Sequence, residues 1–201
     1  MSDIGIIILA AGASTRLGQP KQLLTYQGKA LIRHIADIAI QSQCQPIVLV
    51  LGAYAETIKS HLTNLDIHII YNQHWSDGMA SSIKCGLNAI QAISPNIEAV
   101  VLMLSDQPFV SPNLIKELVA EYQTTNSLIV ASKYADIVGV PALFHKTLFS
   151  ELALLQGDMG ARKTIRQYYS NCVSIPFAEG VIDIDTLEDY EQLQEHRGNI
   201  Y

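Results

Sequence analysis

The feature that most constrains the fold of this chain is the apolar run Ile4–Ala10, which stops abruptly at a loop of small and polar residues. An apolar run of this length without polar alternation predicts a strand that is buried on both faces. The following loop, residues 11–21, contains two glycines, two hydroxyl residues and the cations Arg16 and Lys21. Glycine lets a ligand approach the backbone and cations neutralise negative charge, so this loop predicts an anion-binding site.

The spacing within this loop differs from the two common phosphate-binding motifs. Gly12 and Gly18 lie six positions apart, and Lys21 follows three positions after the second glycine. This pattern fits neither GxxxxGK(S/T) nor GxGxxG, so the loop is not a Walker or dinucleotide loop. An ordinary glycine turn with surface cations stays open as the alternative interpretation.

Short apolar runs recur along the chain, and we expect each to form a strand. Segments with the spacing of amphipathic helices separate the first four runs. Strands that are apolar on both faces and alternate with helices predict an α/β fold that is doubly wound, with a mostly parallel sheet and helices on both faces. The predicted strands are Ile4–Ala10, Pro46–Leu51, Ile67–Tyr71, Glu98–Leu104, Leu128–Ser132 and Val138–Phe144.

Helical spacing and capping residues predict five helices between and after these strands. They run over Ala30–Ser42, over Tyr54–His61, from Gly78–Met79 onward, from Ser111–Pro112 onward, and from Thr186 to near His196. In open α/β sheets, ligands bind beyond the carboxyl ends of the strands. The polar segments 10–21, 72–82 and 105–110 follow three predicted strands, so we expect the functional site where these segments meet.

Composition narrows the class of protein. Of 201 residues, 49% are hydrophobic and 16% charged, which predicts one folded domain over 1–201 rather than a disordered chain. The net charge of −6 argues against a nucleic-acid partner. Cys44, Cys85 and Cys172 are far apart and form no CxxC pair, which predicts free thiols in a reducing compartment. An acidic start and short apolar runs predict a cytoplasmic protein without a membrane partner.

Six motifs carry a resemblance to a known family. The first loop resembles the signature of nucleotidyltransferases that join a nucleoside monophosphate to a phosphorylated acceptor. Within them, the chain is most similar to the molybdenum-cofactor cytidylyltransferase-like group, whose later motifs occur here in the same order. Those later motifs are Asn72–Ser82, Ser105–Pro108, Gly139–Phe144, Gly157–Arg162 and Asp183–Asp189.

This resemblance implies a Rossmann-like fold of the nucleotide-diphospho-sugar transferase type and an enzyme that binds a nucleoside triphosphate and Mg²⁺. It implies transfer of the nucleotide to the terminal phosphate of molybdopterin, the molybdenum cofactor, with CTP favoured as donor. Guanylyl transfer to the same cofactor and nucleotidyl transfer to a sugar phosphate stay open. A non-catalytic accessory protein that carries the cofactor to a recipient molybdoenzyme is an alternative from another class. We expect a monomer or a weak homo-oligomer.

The resemblance also implies roles for particular residues. The implied catalytic residues are Arg16, Lys21 and Asp106. The implied nucleotide-binding residues are Leu9, Ala10, Ala11, Gly12, Ser14, Arg16, Gly18, Lys21, Asp77, Gly78, Ser81, Ser82 and Asp106. The implied acceptor-binding residues are Gly139, Pro141, Gly157, Asp158, Gly160 and Arg162. The implied metal ligands are Asp106, Asp185 and Asp183.

The positions of the acidic residues in the chain also bear on whether they bind a metal. Asp106 directly follows a predicted strand, so its carboxylate lies at the rim of the sheet and suits Mg²⁺, while a plain turn before Pro108 is the alternative. If the segment from Asp183 to Asp185 is extended, the two carboxylates share a face and favour a bound cation. Alternatively, Asp185 only flanks the helix cap at Thr186.

The start of the third helix is a further candidate. Free N–H groups and the positive end of the helix dipole at 77–82 favour a phosphate or polarise a base-binding loop. Asp77 as a simple N-cap is the alternative. The segment Gly157–Arg162 supplies a cation for a phosphate or pterin contact, with a solvated turn as the competing interpretation.

Overall fold

The computed structural model describes residues 3–15, 17–184 and 186–195, and strands form its central layer. In chain order the strands are β1 (Ile4–Ala10), β2 (Thr25–Tyr26), β3 (Lys29–Ala30), β4 (Ile47–Leu51), β5 (His68–Tyr71), β6 (Ala99–Leu104), β7 (Ile129–Tyr134), β8 (Ile137–His145) and β9 (Cys172–Pro176). β2 and β3 form a short antiparallel hairpin, and the others form one sheet in the order β5-β4-β1-β6-β8-β7-β9. Neighbouring strands pair in parallel except β8, which runs antiparallel to both β6 and β7.

The helices cover both faces of this sheet. In chain order they are α1 (Leu31–Gln41), α2 (Ala55–Lys59), α3 (Met79–Ile93), α4 (Pro112–Thr125), α5 (Phe149–Ala153), α6 (Arg162–Gln167) and α7 (Leu187–Glu195). The mostly parallel, doubly wound sheet predicted from the sequence is therefore confirmed.

Strand β1 lies inside the sheet between β4 and β6, and all its residues are buried. Ile6 and Ile8 pack in the core that includes buried residues of α1 and α4. Ile7 and Leu9 point the other way and pack with α3, α5 and α6. Because neighbouring residues of one strand face opposite sides, the uninterrupted apolar sequence of β1 is what allows helices to cover both faces.

Two predicted helix caps are present. Ser111 Oγ accepts a hydrogen bond of 3.2 Å from Leu114 N–H at the start of α4, and Pro112 is the first helical residue. At α7, Thr186 Oγ1 accepts from Asp189 N–H at 3.2 Å, and Asp189 Oδ2 accepts from Thr186 N–H at 2.8 Å. These reciprocal bonds form a capping box and fix where the last helix begins.

The predicted strand limits differ from the observed ones by at most two residues, but the sequence analysis missed β9 and the β2–β3 hairpin. β9 is a half-exposed edge strand that ends at Pro176, so it lacks the continuous apolar run of the central strands. Within the described ranges, no helix combines the length and apolar character required to cross a bilayer.

The three cysteines are free, as predicted. Burial raises the pKa of the Cys44 and Cys85 thiols, and it raises the pKa of Cys172 to about 11. Thiols with raised pKa values carry little thiolate near neutral pH and are poor nucleophiles. These side chains act as small apolar residues of the fold.

A tight contact between α3 and β1 predicts the effect of Gly86→Ala. Alanine ordinarily stabilises a helix by about 1 kcal/mol relative to glycine. Here a Cβ at position 86 would lie 2.5 Å from Cγ2 of Ile7, a methyl carbon of a buried, β-branched side chain. We expect this crowding to dominate and the free energy of unfolding to fall by about 1–3 kcal/mol, measured by urea unfolding.

Asn88→Ala is the matched control, because Asn88 lies on the exposed face of the same helix. This substitution adds the same helix preference without crowding, so its unfolding midpoint should stay the same or rise. A Gly86→Ala variant as stable as Asn88→Ala would contradict the observed packing.

Candidate functional site

A cavity of about 300 Å³ opens at the carboxyl ends of β1 and β6. The two strands are parallel neighbours, with Leu9 opposite Leu104, so the segments that follow them meet at one edge of the sheet. This is where the sequence analysis places the site. The cavity is lined by Leu9, Ala10, Ala11, Gly12, Ala13, Lys21, Gln22, Trp75, Ser76, Gly78, Met79, Ser82, Leu104, Ser105, Asp106 and Asp158.

An ion pair joins the two segments at this edge. Lys21 Nζ lies 2.5 Å from Asp106 Oδ2, and the two side chains are only 16% and 15% exposed. A pair removed from water in this way interacts more strongly than one on the surface. The structure therefore brings together two of the residues that the sequence analysis singled out for catalysis.

The second oxygen of this carboxylate is a candidate metal ligand. Asp106 Oδ1 is buried and has no hydrogen-bond partner among the residues that the structure describes. Mg²⁺ is bound in many proteins by one or two carboxylates together with waters and substrate phosphates. An unpaired carboxylate oxygen beside an anion-binding loop fits that ligand set.

Of the other predicted metal ligands, Asp183 lies in a segment that is far from Asp106 in the chain but contacts it in the fold. Ile184 N–H donates a 3.2 Å hydrogen bond to the backbone oxygen of Asp106, which places the segment containing Asp183 against the end of β6. Asp185 and Arg16 lie outside the described residues, so their predicted roles stay predictions. In residues 3–15, 17–184 and 186–195, no three or more His, Cys, Asp or Glu side chains cluster as a metal site.

Gln22 holds the glycine loop in shape and was missed by the sequence analysis. It is buried, and its Nε2 donates to the carbonyl oxygens of Ala10 at 3.2 Å and Gly12 at 3.1 Å. The carbonyl of Ala11 accepts from Ala53 N–H at 3.0 Å. Three successive carbonyl oxygens are thus engaged by the protein itself, which suits a loop that must not repel an anion.

Ser14 forms hydrogen bonds with the end of the same loop. Its Oγ accepts a 3.1 Å hydrogen bond from Lys21 N–H and lies 3.5 Å from Gln22 Oε1. Ser14 therefore positions Lys21 rather than lining the cavity. Gly18 has a left-handed backbone with φ of 72° and also lies outside the cavity lining, where it turns the loop back toward Lys21.

At the start of α3, the backbone of Gly78 packs against the backbone of Gly157. Gly78 has φ of 98°, and a Cβ there would lie within 2.4 Å of the Gly157 carbonyl group. Ala80 N–H donates to Gly157 O at 3.0 Å. One N–H group of the helix start is thus bonded within the protein, and the contact brings Asp158 to the cavity.

The polar residues around this helix start face two directions. Ser82 lines the cavity, whereas Asp77 and Ser81 line a separate groove with His74 and Lys84. Asp77 Oδ2 lies 3.8 Å from His74 Nδ1 and is exposed. The N-cap of α3 is Gly78, so Asp77 does not cap this helix.

A second cavity of about 290 Å³ adjoins the first. The two share the lining residues Leu9, Met79, Leu104 and Asp158. The further lining of the second cavity is Ile83, Leu102, Gln107, Tyr134, Gly139, Val140, Gly160, Ala161, Arg162 and Asp183.

Most predicted acceptor-binding residues thus lie around the second cavity. Gly139 has no room for a side chain, because a Cβ there would lie 2.5 Å from the Tyr134 hydroxyl oxygen. Pro141 is buried in β8, where its carbonyl accepts a 2.7 Å hydrogen bond from Ser132 Oγ, and it does not line the cavity.

The chain is similar to known proteins over most of its length. The sequence profile of the MobA-like NTP transferase domain family matches residues 6–172. Nicotine blue oxidoreductase of Paenarthrobacter nicotinovorans is 29% identical over 93% of this chain and 94% of its own length. The molybdenum cofactor cytidylyltransferase of Escherichia coli is 27% identical over 94% of this chain and 95% of its own.

Solved structures are also similar to this chain over most of its length. Rv0371c from Mycobacterium tuberculosis superposes with a TM-score of 0.84 at 31% identity, over 96% of this chain and 98% of its own. The complex of Rv0371c with manganese superposes with a TM-score of 0.78 at 30% identity, over 96% and 99%. A divalent metal is thus bound by a protein with this fold.

The role of Gln22 predicts the effect of Gln22→Met. Methionine keeps the size of the side chain but leaves the buried carbonyls of Ala10 and Gly12 without their donor. We expect the free energy of unfolding to fall by about 1–3 kcal/mol. We also expect weaker binding of inorganic pyrophosphate, followed by the fluorescence of Trp75, the only tryptophan of the chain and part of the cavity wall.

Gln19→Met, at an exposed position of the same loop, is the control and should match the wild type in both measurements. Unchanged stability and pyrophosphate binding in Gln22→Met would show that the loop does not depend on these hydrogen bonds.

Proposed function

This chain belongs to the MobA-like NTP transferase domain family, and on that basis we propose that it transfers CMP from CTP to the terminal phosphate of molybdopterin and releases pyrophosphate. The observation that carries the proposal is the mostly buried Lys21–Asp106 ion pair beside the glycine loop. It places one cation and one carboxylate where a triphosphate and its metal would lie. The similarity to the cytidylyltransferase over nearly the full length of both chains supports cytidine and molybdopterin as substrates.

The chemistry needs no general base. A phosphate monoester is ionised near neutral pH, so one of its oxygens can attack the α-phosphorus of the nucleotide directly. A new P–O bond then forms as the bond to pyrophosphate breaks, with the two oxygens in line. The tasks left to the protein are positioning and the neutralisation of charge.

Different residues would perform these tasks. The loop from Ala10 to Gly12 offers a backbone surface to the phosphates, and Lys21 neutralises their charge. Asp106 would hold Mg²⁺ through Oδ1, with Asp183 and Asp185 as the other proposed ligands. When bound, Mg²⁺ would offset the charge of the triphosphate. The second cavity, with Arg162 on its wall, would receive the acceptor.

A pyrophosphate-release assay tests this function. CTP, GTP and ATP are each supplied with molybdopterin and with a panel of sugar phosphates, and we expect release with CTP and molybdopterin. Release only with GTP would replace cytidylyl by guanylyl transfer, and release only with sugar phosphates would replace the acceptor. Binding of molybdopterin without release in any combination would favour the carrier function over the enzyme.

Loss of the loop cation should abolish most activity. We expect Lys21→Met to lower kcat/KM by about 10²-fold or more, because a cation aimed at the transferring phosphate is lost. The measurement is steady-state pyrophosphate release. Lys116→Met, on the exposed side of α4, is the control and should be as active as the wild type. Full turnover by a folded Lys21→Met enzyme would refute the role of this cation.

Loss of the carboxylate charge should remove the dependence on metal. Asp106→Asn keeps the shape of the side chain but weakens it as a metal ligand, so we expect turnover to fall to background at all Mg²⁺ concentrations. The measurement is a Mg²⁺ titration of the initial rate. Asp136→Asn, in the exposed turn after β7, should titrate like the wild type. A wild-type Mg²⁺ profile in Asp106→Asn would count against the metal assignment.

A further inference from the structure

Gln107 is a buried amide that the function described so far does not use. It is only 1% exposed, and it follows Asp106 directly in the chain. Its Nε2 donates to the carbonyl oxygen of Val140 at 3.3 Å. Its Oε1 is buried without a hydrogen-bond partner among the residues that the structure describes.

The orientation of this amide is set by its neighbour. A backbone carbonyl can only accept, so the NH₂ end of Gln107 must face Val140 and the oxygen must face away from it. Reversing the amide would bring two oxygens together. A buried amide oxygen without a hydrogen-bond donor destabilises the fold, so a role in ligand binding would explain why it is placed here.

The side chain lines the second cavity, which has a mainly apolar wall that includes Leu102, Leu104 and Val140. Asp106, one residue earlier, lines the first cavity with Lys21. Two consecutive residues after β6 thus line two adjoining cavities. The first contains the triphosphate loop of the proposed function, so Gln107 lies on the side of the acceptor.

The wall of the second cavity can adjust to an entering molecule. Met79 lies between the two cavities and is 39% exposed. Its unbranched thioether side chain changes rotamer at little cost. A ligand can therefore reach groups that the side chains shield from water.

From these observations we infer that Gln107 is a specificity-determining residue, whose Oε1 accepts a hydrogen bond from an N–H donor of the acceptor molecule. This inference rests on the proposed function. The matching acceptor combines a phosphate monoester with a flat, partly apolar body that carries an N–H group. A phosphorylated acceptor without such a donor would leave the amide oxygen unpaired and bind less well.

The test compares two acceptors in the presence of CTP. Molybdopterin carries N–H donors on its ring, whereas phenyl phosphate has a flat apolar body without them. We expect Gln107→Met to lower kcat/KM for molybdopterin by about 10–100-fold, with most of the change in KM. The KM for CTP and the rate with phenyl phosphate should stay within about twofold of the wild type.

A second variant separates the ligand bond from the bond to Val140. Gln107→Glu keeps an accepting oxygen but loses the donor to Val140. It should therefore be less stable than the wild type, yet keep the preference for molybdopterin over phenyl phosphate. If it loses the preference as Gln107→Met does, the bond to Val140 is what matters and the inference is overturned. Gln156→Met, at an exposed site, is the control.

Binding provides a readout that does not depend on turnover. Molybdopterin is titrated against the fluorescence of Trp75, and Gln107→Met should raise its Kd by about 10–100-fold. Equal affinities in the wild type and in Gln107→Met would overturn the inference. Failure of the proposed function would be recognised differently, as a wild-type protein that releases no pyrophosphate with any molybdopterin–nucleotide pair.

Discussion

The ion pair between Lys21 and Asp106 is the interaction on which the site depends. It connects the loop after β1 with the segment after β6, which are far apart in the chain and adjacent in the sheet. Both side chains are mostly buried, so their ion pair offsets part of the cost of removing the two charges from water. An anionic ligand that draws Lys21 toward itself leaves the carboxylate in need of another cation. In the proposed function, binding of the triphosphate would therefore favour binding of the metal.

The two cavities arise from the same strand end. Asp106 and Gln107 are consecutive in the segment that follows β6, and each lines a different cavity. One is charged and faces the glycine loop, and the other is neutral and lies beside β8. In the proposed function, donor and acceptor would thus be held by neighbouring residues with different chemistry.

The sequence predicted the elements that have a periodic apolar pattern and the site residues that follow a strand end. Apolar runs located the central strands, Ser111 and Thr186 located helix starts, and the strand ends located Lys21 and Asp106. Gln22 and Gln107 could not be predicted, because a single glutamine follows no periodic pattern and its burial depends on distant segments. The opposite directions of Asp77 and Ser82 depend on the short turn before α3, whose geometry periodicity does not determine.

The reversed direction of β8 has a consequence for how this fold can change. Since β8 runs against its neighbours, its first residues and the turn that precedes it lie at the same edge as the carboxyl ends of β1 and β6. Gly139 and Tyr134 thereby reach the second cavity from a hairpin of their own. In the proposed function, lengthening or shortening that hairpin would change the cavity for the acceptor while the cavity for the nucleotide kept its geometry. Relatives could in this way acquire new acceptors without rebuilding the machinery that activates the nucleotide.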